Sequence, residues 1–167
     1  MACPYVWLDA KYIHVREGGR VVSRPVVVAH AVREDGYRTV LGIDVFDLES
    51  GPTWKSFLES LQKRGLRGVQ LVISDAHTGL KEAIREQMVG VAWQRCYVHF
   101  LRNALEREPE RQDIRAKLLE VFVETGDAAS FDEEAAIIAA SGDSEAFARA
   151  EELQAKLEGT QPLRAGA

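Results

Sequence analysis

The stretch Tyr5-Val6-Trp7-Leu8-Asp9-Ala10-Lys11-Tyr12-Ile13 decides the fold. Apolar and polar residues alternate along it, the period of a half-buried β-strand, and an aspartate stands in its middle. A second stretch, Val69-Gln70-Leu71-Val72-Ile73-Ser74-Asp75, is nearly all aliphatic and ends on another aspartate. An ionised carboxylate in or at the end of a buried strand is costly unless it is paired, hydrogen-bonded or bound to a metal. Two such strands in one chain predict a divalent-cation site shared by Asp9 and Asp75. Each aspartate also has a plainer reading. Asp9 can pair with Lys11, two residues along on the same face, and Asp75 can cap the helix that follows it.

Working outward, the first strand is predicted from about Tyr5 to Arg16, turning at Glu17-Gly18-Gly19. The second returns from about Val21 to Val32, with a bulge expected at Pro25, which has no N–H to give. Glu34-Asp35-Gly36 turns the chain into a third strand, Arg38 to Phe46. The period then changes. Trp54, Phe57, Leu58 and Leu61 are spaced for one face of a helix that Gly65 can end. After the Val69–Ser74 strand come a helix with Leu80, Ala83, Ile84 and Met88 on one face, a strand at Val91-Ala92-Trp93, and a helix with Val98, Leu101 and Leu105 inward.

The order β-β-β-α-β-α-β-α predicts an α/β fold: a mixed five-stranded sheet with helices on both faces. That order matches the ribonuclease-H-like fold, in which the first and fourth strands are neighbours. Residues 110–158 read as wholly helical, with stripes at Ile114/Leu118/Val121/Phe122, closed by Gly126, and at Phe147/Ala150/Leu153/Leu157. Between them, Ser130 and Glu133 fit a capping box ahead of Phe131, Ala135 and Ile138. The expected division is a core at 5–108, an α-helical insertion region at 109–158 and a disordered tail at 159–167. Trp7, Trp54 and Trp93 read as core aromatics.

The 167 residues, 46% of them hydrophobic, suffice for a real core. Nothing resembles a signal peptide or a membrane span, and two cysteines, Cys3 and Cys96, are too few for a disulfide framework, so a cytoplasmic setting is expected. The net charge of -5 hides an asymmetry. Residues 1–105 hold 14 Lys+Arg against 11 Asp+Glu, and the remaining 62 hold 7 against 15. The mildly basic and strongly acidic parts are expected to have different jobs.

Three ordered motifs carry a family resemblance: Tyr-Val-Trp-Leu-Asp-Ala-Lys-Tyr at 5–12, Val-Ile-Ser-Asp-Ala-His-Thr-Gly-Leu-Lys at 72–81, and Trp-Gln-Arg-Cys-Tyr-Val-His-Phe-Leu-Arg-Asn at 93–103. The chain resembles the Mutator-type bacterial insertion-sequence transposases. The resemblance implies metal-dependent cleavage of double-stranded DNA and strand transfer, with Mg²⁺ as cofactor and Mn²⁺ as substitute, by an enzyme that self-associates. Asp9 and Asp75 match the family's first two catalytic, metal-binding aspartates. The third residue, a glutamate in an Asn-Pro-x-Glu-Arg stretch, has no counterpart here, and the role passes to none of Glu145, Glu151 or Glu152. The family's N-terminal DNA-binding region has no counterpart either, so the chain is expected to be a central fragment, inactive alone.

Other residues carry two readings each. Cys96 and His99 match a Cys-x-x-His motif of the family. The resemblance implies that they shape the active site or contact DNA, whereas the residues alone suggest a buried structural pair, since half a zinc site binds no zinc. His77 either touches substrate or is a solvated histidine at a helix start. Arg95, Arg102 and Lys81 either meet phosphates or are solvated. Three functions compete: a transposase catalytic domain, an inactive remnant that binds DNA or intact transposase, and a ribonuclease-H-like nuclease acting on RNA–DNA hybrids.

Overall fold

The structure is a computed structural model and describes residues 2–159. They form two compact units, divided after Cys96. The first holds strands β1 (Tyr5–Glu17), β2 (Arg20–Val32), β3 (Arg38–Val45), β4 (Leu71–Ser74) and β5 (Ala92–Arg95) with helices α1 (Gly51–Lys63) and α2 (Thr78–Gln87). The second holds α3 (Tyr97–Arg107), α4 (Gln112–Thr125), α5 (Ala128–Ser141) and α6 (Ser144–Gly159).

The sheet is five-stranded, in the order β3-β2-β1-β4-β5. β1, β2 and β3 pair antiparallel, and β4 pairs parallel with both β1 and β5. The first strand lies beside the fourth, as expected from the sequence for this mixed α/β sheet. The β1–β2 hairpin closes on the pair Glu17↔Arg20 through Gly18 and Gly19, whose φ of 54° and 81° are the positive values a two-residue primed turn needs.

Alternation sorts the sheet's residues cleanly. Val6 and Leu8 of β1, Val27, Ala29 and Ala31 of β2, and Val72 of β4 are buried under Trp54, Phe57, Leu58 and Leu61 of α1 and Leu80, Ala83 and Ile84 of α2. Within this unit both helices lie on that face. The opposite face carries Tyr5, Trp7, Val40, Ile43 and Val45, all exposed. Trp7 is therefore no core residue; it shares the parity of Tyr5 and Asp9 and is 37% exposed. Trp54 is fully buried, and Trp93 is half-buried with its indole N–H on Ser74 Oγ at 3.0 Å.

Pro25 makes no bulge against β1, where the register runs unbroken through Tyr12↔Pro25. The register shift falls instead between Ala29 and His30, opposite β3. Pro25 O accepts from Phe46 N at 3.0 Å, and the N–H and C=O of an extended residue point to the same side. Its missing donor thus faces the frayed end of β3 and costs β1 nothing.

α1 begins with Ser50 as N-cap, its Oγ accepting from Thr53 N at 3.3 Å, followed by a proline in the first turn. The starts of α1 and α2 touch backbone to backbone: a Cβ on Gly79 would lie 2.8 Å from Gly51 N. Backbone cannot swing aside as a flexible side chain does. Gly79→Ala is expected to cost about 1–3 kcal/mol, the range for overpacking, read as a lower urea midpoint at unchanged slope.

In the second unit, Leu101 and Leu105 of α3 are buried with Leu118, Leu119 and Phe122 of α4, Phe131 and Ile138 of α5, and Ala150 and Leu153 of α6. The division after Cys96 places α3 with these helices, whereas the sequence reading put it in the 5–108 core. α4 ends at Gly126 in the left-handed conformation. The cap of α5 is Asp127, whose carboxylate accepts from Ser130 N at 3.2 Å, so Ser130 lies inside the helix rather than capping it. Phe147 is 42% exposed, and Ala146 takes the inward position expected for it. The tail expected from 159 lies, beyond Gly159, outside the described residues. No helix among the described residues is long and apolar enough to cross a membrane.

Candidate active site

The parallel ladder between β1 and β4 runs Tyr5↔Leu71, Val6↔Val72, Trp7↔Ile73, Leu8↔Ser74. Asp9 and Asp75 are the next residues on each strand. Neighbouring strands lie about 4.8 Å apart, so the two aspartates stand side by side where the β1–β4 ladder ends, Asp9 within β1 and Asp75 just past the end of β4. Asp9 is exposed, on the face opposite Leu8, and Asp75 is half-buried.

The turn at Asp75 is held by several bonds. Ser74 is fully buried; its Oγ donates to Asp75 O at 2.8 Å and accepts from the Trp93 indole, and its carbonyl accepts from Cys96 N. Asp75 Oδ1 accepts from His77 N at 3.0 Å, the local turn an aspartate makes with the residue two along. Asp75 does not cap α2. The cap is His77, whose Nδ1 accepts from Leu80 N at 3.3 Å. Lys81 Nζ rests 4.7 Å above the Trp93 ring, so this cation has an aromatic partner.

Cys96 is a half-buried cysteine outside any disulfide that precedes α3 instead of lying on it, and it closes the first unit. His99 lies in α3 of the second unit and is half-buried. Arg102 is exposed on α3, its guanidinium carbon 5.8 Å above the Phe122 ring. Among the described residues no group of three or more His, Cys, Asp or Glu is placed to hold a metal ion.

Sequence reasoning passed over Glu49. It lies in the β3–α1 loop, its side chain only 10% exposed, with Oε2 accepting from Tyr12 OH at 3.1 Å and Oε1 from Trp54 Nε1 at 3.2 Å. Burial, followed by the bond to Glu49 and its charge, raises the Tyr12 hydroxyl above its ordinary pKa. The available signal was its place directly before an N-cap serine and a first-turn proline, where a carboxylate meets the positive end of a helix.

The family described as "Transposase, Mutator family" matches residues 1–156. The chain belongs to that family. It is 50% identical to the transposase for insertion sequence element ISRM5 of Rhizobium meliloti (strain 1021), over 64% of this chain and 27% of the relative. It is 47% identical to the transposase for IS256 in transposon Tn4001 of Staphylococcus aureus, over 65% and 28%, and 43% identical to that for IS406 of Burkholderia multivorans, over 71% and 31%. The matched region spans less than a third of the length of each of these relatives. The solved catalytic core domain of BIV integrase overlaps 99% of this chain and 88% of its own at 14% identity and a TM-score of 0.34, a likeness too weak to bear on the site.

Proposed function

We propose that the sheet unit is the cation-binding part of a transposase active site that cleaves double-stranded DNA at the ends of an insertion sequence and joins the freed 3′-hydroxyl to a target. The observation that carries this is the placement of Asp9 within β1 and Asp75 just past β4, side by side where the parallel ladder of the two strands ends, in a chain of this family.

Two adjacent carboxylates fit Mg²⁺, which takes hard oxygen ligands and is commonly held by one or two carboxylates together with waters and substrate phosphates. Mn²⁺ is the expected substitute. When bound, such ions polarise phosphate oxygens and make an attacking oxygen available at neutral pH. The chain's own part is to hold and orient. Asp9 and Asp75 supply the ligand oxygens, and His77 N–H fixes the Asp75 carboxylate. Cys96 is assigned to shaping the approach, and Arg102, open to solvent, and His99, both of the second unit, are assigned to contact with DNA. Double-stranded DNA, self-association and cytoplasmic residence belong to the same proposal.

A second reading is that this polypeptide binds DNA or intact transposase without cutting. It is favoured by the lack, among the described residues, of a third acidic group beside the pair. Nicking of a labelled duplex bearing the element's end tests whether the isolated chain cuts at all. The expected result is no cleavage with Mg²⁺ or Mn²⁺ and only weak, salt-sensitive binding, since the acidic C-terminal part repels phosphates. Robust Asp9-dependent nicking by this chain alone would show that one of its own glutamates completes the site.

A further inference from the structure

Glu49 is a largely buried carboxylate that the assignments above leave without a task, bonded from two elements and touching the start of a third. Tyr12 OH of β1 and Trp54 Nε1 of α1 donate to its two oxygens at 3.1 and 3.2 Å; His77 Nδ1, at the start of α2, lies 3.8 Å from Oε1 but accepts from Leu80 N, so it packs near the carboxylate without bonding to it. The touching starts of α1 and α2 add the positive ends of two helices nearby. An ionised carboxylate this well surrounded is held in place.

Its partners are also the near neighbours of both aspartates. Tyr12 follows Asp9 on β1 with no break in register between them. By alternation Tyr12 belongs to the helix-bearing face and Asp9 to the other. His77 binds Asp75 directly through its backbone N–H. Glu49 thus ties the β1 segment carrying Asp9 to the start of α1, which abuts the start of α2, beside the turn carrying Asp75, through the Gly51–Gly79 backbone contact, from behind the sheet.

We infer that Glu49 is a positioning residue that sets the spacing of Asp9 and Asp75 for a divalent cation. Glu49 is not itself a ligand, because it bonds Tyr12 and Trp54 on the helix-bearing side of the sheet, whereas Asp9 stands on the other face. The inference rests on the proposed assignment of Asp9 and Asp75, and the test separates the two. Loss of an outer-shell partner typically weakens metal binding about 10–100-fold.

Mn²⁺ binding to the full chain is followed by loss of the free-ion EPR signal, alongside thermal unfolding of each variant. Asp9→Asn is expected to abolish binding. Glu49→Ala is expected to weaken it by about tenfold or more. Glu49→Gln should recover most of the affinity, because an amide keeps an acceptor for Trp54 and offers an N–H to the Tyr12 oxygen. Wild-type affinity in Glu49→Ala, with binding lost in Asp9→Asn, would overturn the inference and leave the assignment of the aspartates standing. Wild-type affinity in both, or no binding by the wild-type chain, would overturn both. Where Glu49→Ala does not fold, Tyr12→Phe carries the test, since its half-exposed ring loses only a hydroxyl. An unchanged affinity there would count against the brace.

Discussion

With the matching segment of the Staphylococcus aureus relative replaced by this chain, Asp9→Asn and Asp75→Asn should each lower DNA excision by more than about a hundredfold. Loss of a mere outer-shell partner reaches that figure at its upper end, and loss of a ligand oxygen must exceed it. Asparagine keeps the shape and one oxygen of aspartate, so the change removes the charge and little else. Excision is scored by recovery of the rejoined donor sequence. The unsubstituted chimaera supplies the reference, and Asp44→Asn, an exposed carboxylate on β3, controls for charge alone. Excision within a few-fold of the reference in either active-site variant would remove that aspartate from the machinery.

Trp54→Ala should cost about 3–5 kcal/mol, the largest stability loss expected of a single substitution here. Trp54 is fully buried, packs edge-on against Phe57 with ring centroids 6.1 Å apart, and gives its indole N–H to Glu49. Its removal leaves a cavity between α1 and the sheet and strips a partner from a buried carboxylate, and the two losses add. Urea unfolding followed by far-UV circular dichroism measures it, with Trp7→Ala as comparison. Trp7 stands on the open sheet face and should cost far less. Equal losses would place both indoles in the core.

The contrast between these tryptophans shows what the sequence made legible. Strand parity was readable: Val6 and Leu8 alternate with Trp7 and Asp9, and the aliphatic run at 69–74 announced a strand buried on both faces. Trp7 was misassigned because hydrophobicity was weighed above parity. The i, i+3, i+4, i+7 spacing of Trp54, Phe57, Leu58 and Leu61 fixed α1 because four large residues leave only one face to bury. The C-terminal helices read less well. α6 begins Ser-Glu-Ala-Phe-Ala, where small alanines let the inward face rotate by one residue, so Ala146 and not Phe147 turns in. The cap of α5 was read at Ser130 and falls at Asp127, three residues earlier and equally good as a cap type.

The effect of Pro25 depended on which side its missing N–H faces, a property of pairing register that local sequence does not encode. Glu49 was invisible for a related reason. It lies in an aperiodic loop, and its burial arises from Tyr12 and His77, both distant in sequence. The pair Asp9 and Asp75, by contrast, was open to reading because each closes or interrupts an apolar run, where a charge needs a reason to be.

The most direct measurement is anomalous diffraction from crystals of the chain grown with Mn²⁺. An anomalous peak bonded to carboxylate oxygens of both Asp9 and Asp75, at roughly the 2.0–2.1 Å of Mg²⁺ coordination or slightly longer, is the expected result. A peak bound elsewhere, or the two carboxylates on opposite faces of the sheet, would contradict the shared cation site.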